Sequence, residues 1–237
     1  MIFTQTIHID SERCDRHEHL RADSLFLLMQ NAAGEHAERL GFGRAQLVQS
    51  RTAWVLTRVS VRMTRWPKWN STLTLTTAPG VGRAGLYRRY FTFTDEQGPC
   101  GHATSLWTVI DLDKRTIVSP EKAPQVPTAA DFTPLLPAPA KVRRLEGEPS
   151  VTDYHCCYTD ADLNNHINNA AYIRFLENAL PPQRFANSNL CQLDVCYHRE
   201  IKPESDISLL LTQHEDRFHF AVQDGDAIAF EACGKWD

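Results

Sequence analysis

Seven of the 13 prolines in this 237-residue chain fall between residues 119 and 150, and no other feature limits the fold as firmly. A stretch so short of N–H donors cannot serve as a strand of a sheet. Residues 119–150 therefore read as an extended surface connector, with one segment, 1–118, before it and another, 151–237, after it. Both flanking segments carry the same order of elements. In the first, DSLFLLMQNAAGEHAERL over 23–40 places Leu25, Leu28, Met29, Ala32, Ala33 and Leu40 at near-helical spacing, with Asp23 as the cap and Gly41 just past the end. Alternation of period two then runs through WVLTRVSVRMTRW over 54–66 and stops at Pro67. Further strands are expected over 72–77, 86–94 and 102–111, the last two joined by a turn at 95–98. The second segment repeats this with a helix over 169–179, a strand over 192–201, a break at Pro203, strands over 206–213, 217–223 and 227–236, and a turn at 224–226. The matched order and breaker positions imply a duplicated α+β unit, each copy an antiparallel sheet wrapped around a helix.

Composition removes several classes of function. A net charge of −4 gives no global attraction to nucleic acid, and there is neither a Gly-rich phosphate loop nor an aromatic-basic signature, so no nucleic acid, nucleotide or flavin is expected. Apolar runs stay well below the roughly 18–20 residues of a membrane span. The N-terminal MIFTQTIHIDSERCD has neither the basic start nor the apolar core of a secretory signal. Seven scattered cysteines without C-x-x-C spacing argue against a disulfide framework and against a zinc site. A cytoplasmic protein without metal or cofactor is the expectation.

The densest polar cluster is TDADLNNHINN over 159–169, directly before the second helix. Asp162, Asn164 and His166 are spaced by two, so an extended segment would send a carboxylate, an amide and an imidazole to one side. Asn168 or Asn169 can cap the helix, whose free N–H groups and positive dipole end suit a developing oxyanion. An Asn-rich turn with a structural histidine meets the same spacing, and from the residues alone both readings stand.

The segment DADLNNHINNAAYIRFLENAL resembles the signature of the acyl-acyl carrier protein thioesterases, the Fat family of plants and its bacterial relatives, with the pattern D-x-N-x-H-x-N-N before a hot-dog helix. The likeness extends to AWVLTRVSVRMTRWPKWNSTLTLTT (53–77), SLWTVIDLDKRTIVSP (105–120) and CYHREIKPESDI (196–207), and so to most of the chain. It implies a double hot dog, two tandem hot-dog halves, which agrees with the duplication read from the residues. It further implies a cofactor-free hydrolase that releases fatty acid from acyl carrier protein carrying a fatty acyl thioester. The alternatives are an acyl-CoA thioesterase or a non-catalytic acyl-binding hot-dog protein.

By position, the resemblance makes Asp162, Asn164, His166 and Glu200 the catalytic set. A cysteine of the family, once proposed as nucleophile, falls at Ile201, which cannot attack a thioester; the expected nucleophile is water. Glu200 is the favoured base, His166 positions water or carbonyl and shares proton transfer, Asn164 donates to the carbonyl oxygen, and Asp162 orients Asn164 or His166. Aligning Asp15 with Asp160 sets His17, His19 and Arg21 opposite Asp162, Asn164 and His166, while the Pro67–Pro203 alignment sets Thr64 opposite Glu200, so one active site per chain is expected. The first half then holds the acyl chain through Leu25, Leu28, Met29 and Ala32, although such a stripe also suits plain core. Because acyl carrier protein is acidic, Arg58, Arg62, Arg65 and Lys68, with Arg89 and other basic residues nearby, are candidates for its docking face. Monomer and homodimer are both compatible with the sequence.

Overall fold

The computed structural model describes residues 1–237 apart from Ala84, Pro120, Ala130 and Asp131; Pro120 of the connector thus lies outside the described residues. The first half runs β1 (Phe3–His8), α1 (Ala22–Arg39), α2 (Arg44–Gln49), β2 (Thr52–Met63), β3 (Thr72–Pro79), β4 (Leu86–Asp95), β5 (Gly98–Asp111) and the short β6 (Thr116–Ile117). The second runs β7 (Ser150–His155), α3 (Asn169–Ala179), α4 (Pro182–Asn187), β8 (Leu190–Tyr197), β9 (Asp206–His214), β10 (Arg217–Asp224) and β11 (Ala227–Trp236). All pair antiparallel in one sheet, in the order β1-β3-β4-β5-β2-β8-β11-β10-β9-β7, with β6 on β5. Read from the seam outward, β2-β5-β4-β3-β1 mirrors β8-β11-β10-β9-β7. This is the tandem hot-dog layout that the repeated element order implies.

At the seam, β2 pairs with β8 from Arg58↔Cys196 to Arg62↔Gln192, and Arg62 forks onto Asp194 at 2.9 and 3.0 Å. The helices α1 and α3 pack on each other, and their apolar stripes join inward residues of both halves in one core, including Leu25, Ala32, Ile173, Phe175, Leu193 and Phe220. A single core spanning both halves makes the duplication a folding unit rather than two independent beads. Described residues between Ile117 and Ser150 form no strand. They contact the sheet through Arg58 to the Pro139 carbonyl (3.5 Å), Thr104 to the Leu136 carbonyl (3.5 Å), and Arg144 Nε to Glu231 Oε1 (2.8 Å).

Several local expectations need correction. The alternation in β2 changes phase at a bulge between Leu56 and Arg58, so Leu56 is buried together with Val59, Val61 and Met63 while Val55 is not. Strand β8 ends at Tyr197 rather than at Ile201, because His198 and Arg199 both donate backbone N–H to the Ala229 carbonyl and turn the chain out of the ladder. Asp23 lies inside α1, and Arg21 occupies the cap position without a capping side chain. The cap comes from the other half: Glu177 on α3 accepts from Ala22 N–H (2.7 Å) and Asp23 N–H (3.2 Å). Strands β1 and β7 carry little sequence signal because they are the sheet edges; β7 is exposed at all positions except the half-buried Tyr154.

Candidate active site

The segment 162–166 is a tight loop rather than an extended strand. Asp162 N–H donates to the His166 carbonyl (2.8 Å), Asn165 N–H to the Asp162 carbonyl (3.0 Å), and an isolated bridge joins Ala161 to Ile167. Asn165 takes the left-handed conformation (φ 60°) that asparagine accepts better than most residues. The turn nonetheless brings Asp162 and Asn164 into contact. Asp162 accepts Asn164 N–H at 2.8 Å through Oδ1 and lies 3.4 Å from Asn164 Nδ2 through Oδ2, so the carboxylate holds the amide. Ile167 N–H donates to the Ile201 carbonyl (2.9 Å), which staples the loop to the chain leaving β8. That staple brings His166 Nε2 to 3.2 Å from Glu200 Oε2, with both side chains partly open to solvent (32% and 45%).

Behind this pair the support is buried. Asn168 caps α3, its Oδ1 accepting Ala170 N–H (2.9 Å), and Ala171 N–H is turned onto the Asn168 carbonyl (2.8 Å). Those two N–H groups are therefore engaged, which overturns the expectation that they stand ready for an oxyanion. Tyr197 donates its hydroxyl to the Asn169 carbonyl (2.9 Å), and burial pushes the Tyr172 and Tyr197 hydroxyls above their ordinary range. Ile201 is fully buried, a packing residue where a nucleophile would need access.

The sequence reading missed Asp160, Arg174, Glu177 and Arg115. Asp160 is almost wholly buried; its carboxylate accepts from the Tyr154 hydroxyl (2.9 Å), from Cys157 N–H (2.8 Å) and from Arg174, and its carbonyl accepts Asn168 N–H (2.8 Å). Arg174 also approaches the buried Asp23 at 4.0 Å, and Arg21 Nε meets Asp23 at 3.0 Å. Burial, reinforced by the charge of Asp23, pushes the Glu177 carboxyl up to about 8. Arg115, at the turn between β5 and β6 in the first half, sets Nη1 3.9 Å from Glu200 Oε2. The charged residues of this buried network meet only once α1 packs on α3, so no local pattern in the sequence marks them.

The first half contains a close copy of the loop, in a different alignment from the expected one. Asp15 N–H donates to the His19 carbonyl (2.8 Å), Glu18 N–H to the Asp15 carbonyl (3.1 Å), and Leu20 N–H to the Pro67 carbonyl (2.8 Å). Asp15 Oδ1 accepts His17 N–H (2.8 Å), and Glu18 has φ 65°. The structural partners of Asp162, Asn164 and His166 are therefore Asp15, His17 and His19. Thr64 and Arg65 share the Cys100 carbonyl as His198 and Arg199 share that of Ala229, so Trp66, not Thr64, stands opposite Glu200. The alignment through the prolines fails because the counterpart of Pro67 is Ile201, not Pro203: the two carbonyls accept the equivalent N–H of Leu20 and Ile167, and Ser71 and Ser205 those of Ile9 and Cys156.

Leu25, Leu28, Met29 and Ala32 are all buried in the common core, and none lines either of the two clefts found at the surface. The four basic candidates do not form one free patch. Arg62 is paired with Asp194 and Arg65 with Asp95, which the guanidinium holds below the usual carboxylate range; Arg58 reaches the connector, and Lys68 lies exposed beside the first-half loop. Arg89 leaves the surface altogether: it is buried against His36 Nδ1 (3.1 Å) and Thr77. Among the described residues no cluster could hold a metal ion, and no helix is long and apolar enough to cross a membrane.

The sequence profile of the acyl-ACP thioesterase N-terminal domain matches residues 1–122, and that of the acyl-ACP thioesterase C-terminal domain matches 144–231. An acyl-[acyl-carrier-protein] hydrolase of Cuphea viscosissima chloroplasts is 26% identical over 86% of this chain and 53% of its own length. A chloroplastic palmitoyl-acyl carrier protein thioesterase of Gossypium hirsutum is 25% identical over 95% of this chain and 58% of its own. The chain thus spans little more than half the length of these plant relatives. Among solved structures, an acyl-ACP thioesterase from Bacteroides thetaiotaomicron superposes with a TM-score of 0.91 at 21% identity, covering 100% of this chain and 98% of that one. A 12:0-ACP thioesterase from Umbellularia californica gives 0.84 at 22% identity, covering 100% and 97%. These likenesses establish the double hot-dog fold.

Proposed function

This chain belongs to the acyl-ACP thioesterase family, and from that premise we propose that it hydrolyses fatty acyl thioesters carried on acyl carrier protein, releasing the free acid and ending chain extension. The observation that carries the reading is the 3.2 Å contact of His166 with Glu200, set beside an Asp162 that holds Asn164. Glu200 takes a proton from water; the oxygen attacks the thioester carbonyl, and Asn164 donates to the carbonyl oxygen as charge builds there. The C–S bond then breaks, and the proton passes through Glu200 and His166 to the departing thiolate. Ile201 offers no nucleophile for an acyl-enzyme at that position, so water attacks the thioester directly.

Residues 1–118 act as the half that holds the acyl chain, with Leu25, Leu28, Met29 and Ala32 at its wall; residues 119–150 are the connector, and 151–237 the catalytic half. The carrier docks through cations near β2 and the first-half loop, of which Arg58 and Lys68 are not committed to a carboxylate. All seven cysteines are free thiols, which suits the reducing cytoplasm as the setting.

The test is free-thiol release from acyl carrier protein and CoA thioesters of matched chain length, with His166→Ala and Glu200→Ala alongside. Rapid release from the carrier thioester, lost in both variants, is expected. Preference for CoA would make this an acyl-CoA thioesterase, and tight acyl binding without release would make it a lipid-binding protein.

A further inference from the structure

A surface cleft of about 520 Å³ lies away from Glu200. It lies at the first-half loop, where Asp15, His19, Trp66 and Lys68 meet Phe185 and Trp236 of the second half. Its volume falls in the range of small-ligand sites, roughly 300–1,000 Å³. We propose that this cleft is a second, non-catalytic ligand site that binds a long-chain carboxylate.

The argument begins with charge. Carboxylates around the cleft are already satisfied: Asp15 by backbone N–H of His17 and His19, Asp95 by Arg65, Glu96 by Thr72 N–H, Glu177 by the start of α1, and Asp237 by Asn189 N–H. Arg21 and Arg65 are likewise committed, to Asp23 and Asp95. Lys68 and His19 differ. They face each other across an isolated antiparallel bridge, both line the cleft, and among the described residues neither side chain has a hydrogen-bonding or ionic partner. Bridge partners project to the same side, so an ammonium and an imidazole converge on one spot that lacks an anion.

Part of the remaining wall is aromatic. Phe185 packs edge-on to Trp236 with ring centroids 5.2 Å apart, and Trp66, pinned through Nε1 to the Leu190 carbonyl (3.1 Å), forms the opposite surface. An anionic head beside aromatic walls describes an amphipathic acid. Because Trp66 replaces the carboxylate that Glu200 supplies in the other half, His19 has no carboxylate partner of the kind His166 has, and the site holds its ligand without cutting it. Identification of that ligand with the product of hydrolysis rests on the thioesterase reading; the site itself does not.

The experiment is photolabelling of the full chain by a dodecanoate analogue carrying a diazirine near its ω end, with adducts mapped by mass spectrometry. Labels on residues 66–68 or 185–189, displaced by dodecanoate but not by dodecanol, are expected. Lys68→Glu should weaken labelling by about tenfold or more, the loss of a charge-assisted bond; Lys68→Ala and His19→Gln give the same comparison if that variant does not fold. Labels confined to residues 25–32, to 162–166 or to the Glu200 segment, or equal displacement by dodecanol, would overturn the site. Thiol release is measured separately, so an enzyme without this label sinks only the second site, and a specific label without thiol release sinks only the hydrolase.

Discussion

Arg174→Ala probes what holds the 162–166 loop in place. Arg174 is the cation between two carboxylates, Asp160 and Asp23, whose side chains are each only 3% exposed. Removing one partner of a fully buried ion pair costs about 3–5 kcal/mol. Two features here lower that figure. The Arg174 side chain is itself 37% exposed, and Asp160 keeps the Tyr154 hydroxyl and Cys157 N–H while Asp23 keeps Arg21. A loss of about 2–3 kcal/mol is expected, equivalent to a fall in Tm of about 4–12 °C for a chain of this size. Because the Asp160 carbonyl also receives Asn168 N–H, movement of Asp160 displaces the segment 162–166. The rate should therefore drop about 10-fold to 100-fold at little-changed KM, as small misplacements of catalytic groups do. Thermal melts and steady-state thiol release on the same preparations read both effects. Pairing Arg174→Met with Asp160→Asn should recover part of the stability, since it removes the orphaned charge as well as the cation. A Tm within about 2 °C of the parent, with kcat intact, would refute the claim that this network supports the site.

Asn164→Ala should lower kcat by about 100-fold to 1,000-fold with the fold unchanged by circular dichroism, the cost of one oxyanion donor; a smaller loss would mean that the carbonyl oxygen is held elsewhere. Arg115→Gln should change kcat/KM by no more than about fivefold, since exposed ion pairs contribute about 0–1 kcal/mol, and a far larger drop in the kinetics would place Arg115 on the substrate. For Glu177, a folded-state value raised to about 8 means that the folded chain binds an extra proton above the ordinary carboxylate range. Stability should then fall as pH rises from about 5 to about 8, and Glu177→Gln should lack that slope in urea midpoints across the interval; parallel curves would contradict it. Met29→Ala and Ala32→Leu should shift the preferred acyl length by about tenfold in relative kcat/KM if these residues wall the tunnel, whereas unchanged profiles would leave them as core.

Elements with a wet face and a dry face, or with a marked turn, were legible in the sequence, and those without were not. Helix α3 runs over the expected residues because Tyr172, Ile173, Phe175 and Leu176 repeat at helical spacing and Asn168 caps them. Strand β9 also alternates, while β10 and β11 are buried over continuous runs and were legible from their turn at 224–226 and their β-forming residues. The edges β1 and β7 escaped because edge strands expose both faces in part. The chemistry was legible as composition: Asp162, Asn164 and His166 stand together at a spacing of two. Their geometry was not, since period two in sequence becomes a tight turn once the Asp162 carboxylate captures the Asn164 backbone. Glu200 was found only through a resemblance, for its position depends on where β8 ends, and that is set by the Ala229 carbonyl on a strand some thirty residues away.

The two loops show why one fold can keep a copied site and lose its chemistry at small cost. Asp15 and Asp162 hold their loops through the same backbone contacts, so replacing either would release a turn that the sheet needs; that position is held by folding as well as by function. Glu200 and Trp66 occupy the residue just before the staple formed by the Ile201 or Pro67 carbonyl, one partly open to solvent and the other packed against the core. A change of carboxylate to indole there removes the base without disturbing the loop. It also adds apolar surface to a cleft closed by the opposite half, through Phe185 and Trp236. In the same way, Glu200 is approached by Arg115 from the first half. The first-half cleft and the surroundings of Glu200 thus both draw on the two halves, and both depend on the register of β2 on β8 that Arg62 and Asp194 lock across the seam. Loosening that seam should blur both sites together, whereas substitutions at position 66 or 200 should affect one and spare the other.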